Sequence, residues 1–157
     1  MTDINPASAV ETAVDRCLDL ARTWLAWDGV PRVTPADDGA RIYTPHKAVR
    51  RIADHLVDHL AEVEALLAGA PTQPNGWAES KVTVDADWAR FTEADLREAE
   101  QRLTRLGRTF ALRYAAAGSA AWDADRGDSW TLRTIAEHVS EVVWYAEQVG
   151  DLGRRES

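Results

Sequence analysis

One cysteine, one methionine and two phenylalanines stand among the 157 residues of this chain. A lone thiol, Cys17, excludes an intrachain disulfide and leads us to expect a reducing, cytoplasmic setting. Positive charge is also scarce, with 18 Lys and Arg against 26 Asp and Glu and a formal net charge of −8. Phosphate binding depends on clustered cations, so this balance argues against nucleic acid and anionic membrane surfaces as partners. The arginines are scattered singly apart from Arg50–Arg51 and Arg154–Arg155. No apolar run approaches the roughly 18 residues that span a bilayer. The opening MTDINPASAVETAVD has neither the basic nor the apolar region of a secretory signal. A glycine-rich phosphate loop, a Ser-His-Asp order and a CxxC pair are missing too.

What is present is helical periodicity, an excess of indole and a set of histidines. A length of 157 residues fits a single domain spanning 1–157. Seven tryptophans against two phenylalanines favour a fold with deep apolar contacts or a concave pocket. Four segments repeat their apolar residues every 3.6 positions, and no segment reads as a strand.

The first of these runs from about Pro6 to Trp27, with Asn5 as cap and Val10, Val14, Leu18 and Leu25 on its stripe. The second runs from Pro45 to Ala68, between the cap Thr44 and the terminator Gly69. The third starts at Thr92, whose spacing to Asp95 is a variant capping box, and ends at Gly118. The fourth begins at 129–131 and continues to Val149, stopping at Gly150. Four amphipathic helices can bury their apolar faces only against one another, so the expected fold is an all-α four-helix bundle. The connections span about 16, 23 and 12 residues, longer than tight hairpins. The segment from Pro71 to Trp88, with Pro74-Asn75-Gly76 and Lys81-Val82-Thr83-Val84, is the candidate lid.

Chemistry resides in the histidines. His55 and His59 are four residues apart in the second helix, and such side chains share a face about 6 Å apart along the axis. His138 sits in the fourth helix. At 100° per residue, His59 lies about 60° and His55 about 100° from the second stripe's centre, and His138 about 100° from the fourth's. All three occupy flanks that can point into a bundle, where three imidazoles can hold one metal ion and leave a position open. The competing reading is a set of half-buried imidazoles bonded to nearby carboxylates, of which Asp54, Asp58, Glu62 and Glu137 are candidates. His46 reads as a surface or loop residue, and Cys17 as a small buried hydrophobe. His59-x-x-Glu62 and His138-x-x-Glu141 have the spacing of a di-iron bundle, but Glu141 is expected about 160° from the fourth stripe's centre.

Together these residues resemble the DinB/YfiT-like superfamily. The likeness is closest over WDADRGDSWTLRTIAEHVSEVVWYAEQV (122–149), which is similar to that family's polar loop leading into a histidine-bearing helix, and in the HxxxH of the second helix. The resemblance implies a bundle holding a divalent ion, zinc or nickel, on His55, His59 and His138. It also implies a low-molecular-weight thiol cosubstrate such as mycothiol or bacillithiol, and activity as a thiol-dependent transferase or isomerase. One departure is visible. The family usually carries its lone histidine on the second helix and its pair on the last, whereas here the pair comes first and Val142 stands where a second C-terminal histidine would be.

In such a site Glu62, one turn from His59, is the candidate for orienting a ligand imidazole or serving as base. Tyr145, two turns from His138, is the candidate hydrogen-bond donor to substrate. The expected partner is a small-molecule substrate, with a second copy of the chain as candidate protein partner. The rival reading is a non-catalytic bundle with structural histidines that dimerises or binds a small ligand.

Overall fold

The computed structural model describes residues 3–36, 39–74 and 78–153. The chain is mostly helical. Helix α1 (Ser8–Ala21) begins after Asn5, whose Oδ1 accepts from the Ala7 amide at 2.9 Å and whose Nδ2 donates to the Ala111 carbonyl at 2.9 Å. It stops sooner than its periodicity suggests. Thr23 turns its hydroxyl onto the Leu20 carbonyl, and a 3₁₀ turn follows over Trp24–Ala26. That turn sends the Trp24 indole to the Gly150 carbonyl at 2.8 Å, locking the end of α1 to the end of the chain's last helix.

A two-stranded antiparallel hairpin follows, β1 (Arg32–Ala36) and β2 (Gly39–Tyr43), paired from Arg32 with Tyr43 to Ala36 with Gly39. The expectation of no strand is therefore corrected. The strands are five residues each and Val33 is exposed, so no buried alternating face marks them in the sequence. The hairpin docks through Thr34, whose hydroxyl donates to Gln148 Oε1 at 2.6 Å, and through the buried Tyr43.

Helix α2 (Pro45–Ala68) has the expected limits. Thr44 accepts the Lys47 amide at its start, and Gly69 closes it in the left-handed region at φ 67°, where a Cβ would be strained. Helix α3 (Glu93–Ala117) opens with the reciprocal Thr92–Asp95 capping box. Gly107 lets α3 lie close against α1, since a Cβ there would meet Val14 Cγ2 at 3.2 Å. A single helical turn, α4 (Ser119–Trp122), carries the buried Trp122, whose indole donates to the Tyr114 carbonyl. The expected fourth helix is divided into α5 (Leu132–Val139), a 3₁₀ turn over Ser140–Val142, and α6 (Val143–Val149).

Buried residues of α1, α2, α3, α5 and α6 join in one apolar cluster, which includes Val14, Ile52, Leu56, Phe110, Ile135 and Val142. α2 packs on α3, α5 and α6, and this sets the two histidine-bearing elements side by side. No helix among the described residues is long and apolar enough to cross a membrane.

The described part of the 71–88 connection lies along α2. Pro71, Gln73 and Pro74 line a pocket with Val57, Asp58, Ala61 and Glu62. Nearer the start of α2, Arg50 donates to the Ser80 and Val82 carbonyls and forms a two-point pair with the buried Asp87 carboxylate. Lys47, 1% exposed, donates to Ile42 O and Thr83 Oγ1, so a cation is buried with its donors engaged. Asn75, Gly76, Arg154 and Arg155 lie outside the described residues.

Candidate metal centre

The three histidines converge. Ring centroids are 4.5 Å apart for His55 and His59, 4.9 Å for His55 and His138, and 4.8 Å for His59 and His138. One nitrogen from each lies within 4.8 Å of the other two. Nitrogens bound tetrahedrally at roughly 2.0–2.1 Å sit about 3.3 Å apart, so side-chain rotations of about an ångström close the set on one ion.

The electrostatics suit a cation. Burial, followed by the neighbouring His59 and His138 and by Arg51, lowers the pKa of His55 from 6.5 to about 3. His138 is also lowered, first by burial and then by His59, with Glu141 and Glu62 opposing. Both rings are therefore held neutral near pH 7, the state in which imidazole offers a lone pair to a metal.

Two carboxylates stand behind the imidazoles. Glu62 Oε1 is 3.5 Å from His59 Nδ1, and each of these atoms is buried with no hydrogen-bond partner. A small closing movement pairs them, which fixes the proton on Nδ1 and leaves Nε2 free to ligate. Glu141 Oε2 is 3.8 Å from His138 Nδ1, but this carboxylate is largely exposed, as its expected position far from the fourth stripe's centre implies. Its place three residues after His138 is what sets the two side chains near each other.

A pocket of about 370 Å³ opens beside the histidines, lined by His55, His138, Glu141, Val142, Trp144 and Tyr145. Tyr145 is placed where the sequence suggested, with its ring 5.9 Å from that of His55. Arg51, one turn before His55, stacks on the Tyr145 ring at 4.8 Å and donates from Nη2 to its hydroxyl at 3.2 Å. Sequence reasoning missed Arg51, Trp130 and Trp144. The Trp130 ring is 5.1 Å from that of His138. The only signal for either indole was the tryptophan excess itself.

His46 and Cys17 take no part. His46 is not a free surface residue, as its Nε2 donates to the Arg90 carbonyl at 3.1 Å and its ring meets Phe91 edge-on. Cys17 is 1% exposed, and its thiol is pushed up to about 12 by burial and then by the Glu147 charge, so it behaves as the expected inert hydrophobe. A second groove, between α2 and the start of α3, holds Asp87, Asp95 and Glu98. Arg50, the Thr92 cap and Arg102 respectively engage those carboxylates.

The donor set fits a divalent ion: three converging imidazoles and two orphaned buried atoms that pair when a ligand ring is fixed. Comparison with known proteins finds no family model, no curated protein and no solved structure that matches this chain.

Proposed function

We propose that this chain is a metal-dependent enzyme of the DinB/YfiT-like type, with a low-molecular-weight thiol as cosubstrate and thiol transfer or isomerisation as its reaction. The observation that carries the reading is the meeting of His55 and His59 from α2 with His138 from α5 beside an open pocket. In this reading α1, α2, α3 and the broken C-terminal helix form a four-helix bundle, folded as one domain and working in the cytoplasm. Neither nucleic acid nor membrane is a partner, and a second copy of the chain is the candidate protein partner.

His55, His59 and His138 would hold zinc or nickel, leaving at least one position open. A divalent ion there supplies Lewis acidity, which makes a thiol or water ionise near neutral pH. The protein's own groups do the rest. Glu62 orients the His59 ring through Nδ1 or serves as base. Tyr145, polarised by Arg51, is placed to donate to a substrate oxygen. Val142 and Trp144 form the apolar part of the pocket wall.

The test is thiol consumption by zinc-loaded and metal-free protein in the presence of a low-molecular-weight thiol and a carbon electrophile. The reading expects consumption above the uncatalysed rate only in the loaded protein, lost in Tyr145→Phe and Glu62→Gln. Equal rates with and without protein across a panel of thiols would remove the transferase reading.

A further inference from the structure

Three aromatic side chains surround the histidines, and the hydrophobic core accounts for none of them fully. Trp144 is 40% exposed and Trp130 is 48% exposed, so both indoles present ring surface beside the histidines. Trp144 meets Tyr145 edge-on at 5.4 Å and Tyr43 at 5.7 Å, so its ring is braced from behind by a buried phenol. Trp130 stands against His138. The pocket wall runs from Trp144 and Tyr145 over Val142 and Glu141 to His55 and His138, and its volume of about 370 Å³ suits a compact organic molecule.

The polar groups on this wall are the His55 and His138 imidazoles, the Glu141 carboxylate and the Tyr145 hydroxyl. The Tyr145 hydroxyl accepts from Arg51, and no acceptor among the described residues takes its own proton. The guanidinium sharpens that donor, because a phenol that accepts from a cation gives its proton more readily. Arg51 also donates from Nη1 to Ser80 Oγ at 2.7 Å.

We infer that the site selects a small aromatic compound bearing an oxygen acceptor, a carboxylate or an aryl carbonyl. Its ring lies against Trp144, with Trp130 beyond His138 at the edge of the site, and its oxygen takes the Tyr145 proton. This inference rests on the proposed site and names its substrate class, but it does not require the metal. Tyr145 and Trp144 set specificity, and Arg51 is a positioning residue that acts through Tyr145.

The experiment is a titration of metal-free and zinc-loaded protein with benzoate, followed by the indole N–H resonances of Trp130 and Trp144. Acetate and cyclohexanecarboxylate are the comparison ligands. The expected result is saturable movement of both indole signals by benzoate, with weaker binding of cyclohexanecarboxylate and none of acetate. Tyr145→Phe, which keeps the ring in place, should weaken benzoate roughly tenfold. Arg51→Met should weaken it by a smaller factor while leaving the preference for an aromatic ring. Unmoved indole signals in both forms of the protein, or equal affinity for acetate and benzoate, would overturn the inference. Benzoate binding without any uptake of zinc would leave it standing and remove the metal reading instead. Zinc uptake without benzoate binding would do the reverse.

Discussion

His59 Nδ1 and Glu62 Oε1 face each other at 3.5 Å, both buried and both without a hydrogen-bond partner. Leaving two such groups unpaired costs about 1–3 kcal/mol each, so a native structure keeps them for a reason. A ring drawn into place by an ion would supply that reason, because it would turn the near contact into a bond.

Glu62→Gln is therefore expected to weaken zinc binding about 10–100-fold, the usual cost of losing a carboxylate behind a ligating histidine. Glu141→Gln should cost less, since its carboxylate is 3.8 Å from His138 and largely exposed. Competition against a chromogenic chelator measures both. An unchanged affinity in Glu62→Gln would show that Glu62 does not orient His59.

The metal-free protein should lose stability in acid. His55 has a folded pKa of about 3 against 6.5 in the unfolded chain. Its neutral form is favoured by the fold, so stability is complete above pH 6.5 and falls as pH drops from 6.5 towards 3. The slope from this group approaches about 1.4 kcal/mol per pH unit inside that window. Urea midpoints at several pH values, compared with those of His55→Gln, isolate the contribution. Parallel curves for the two proteins would contradict it.

Helix limits were legible where caps are local. Thr44, Gly69, Thr92 and Gly118 announce their ends within three or four residues, and the structure keeps them there. The meeting of His55, His59 and His138 was legible for the same kind of reason, because helical phase alone puts them on facing flanks. Other features depend on distant partners. Trp24 leaves α1 for the Gly150 carbonyl, and Arg50 reaches Asp87, which no local pattern encodes. Glu141 is exposed, as its helical phase implied. The hairpin escaped notice because its strands are short and Tyr43 is their buried anchor, with no alternating apolar face to announce them.

Cys17 should be silent in the native protein. Its thiol, pushed up to about 12 and buried, offers almost no thiolate at neutral pH. A disulfide reagent such as Ellman's should modify it only as fast as the chain opens, and at once in denaturant. Immediate modification in native buffer would show that α1 is not packed as described.

Tyr114 ties α3 to the start of the histidine-bearing α5, donating from its buried hydroxyl to the Leu132 carbonyl at 2.6 Å. Tyr114→Phe is expected to cost about 1–2 kcal/mol in urea denaturation, with zinc affinity little changed because α5 keeps its other contacts. A loss below about 0.5 kcal/mol would mean that the bond contributes no net stability.

The central claim is that three imidazoles from two helical elements hold one ion. Elemental analysis of protein purified without a nickel column or chelator, run beside His59→Ala, tests it most directly. About one equivalent of zinc or nickel is expected in the parent and none in the variant, with the parent's Tm falling on chelation. No metal in either protein, and no change in Tm on adding zinc or nickel, would contradict it and leave a helical protein whose histidines serve structure or a metal-free ligand.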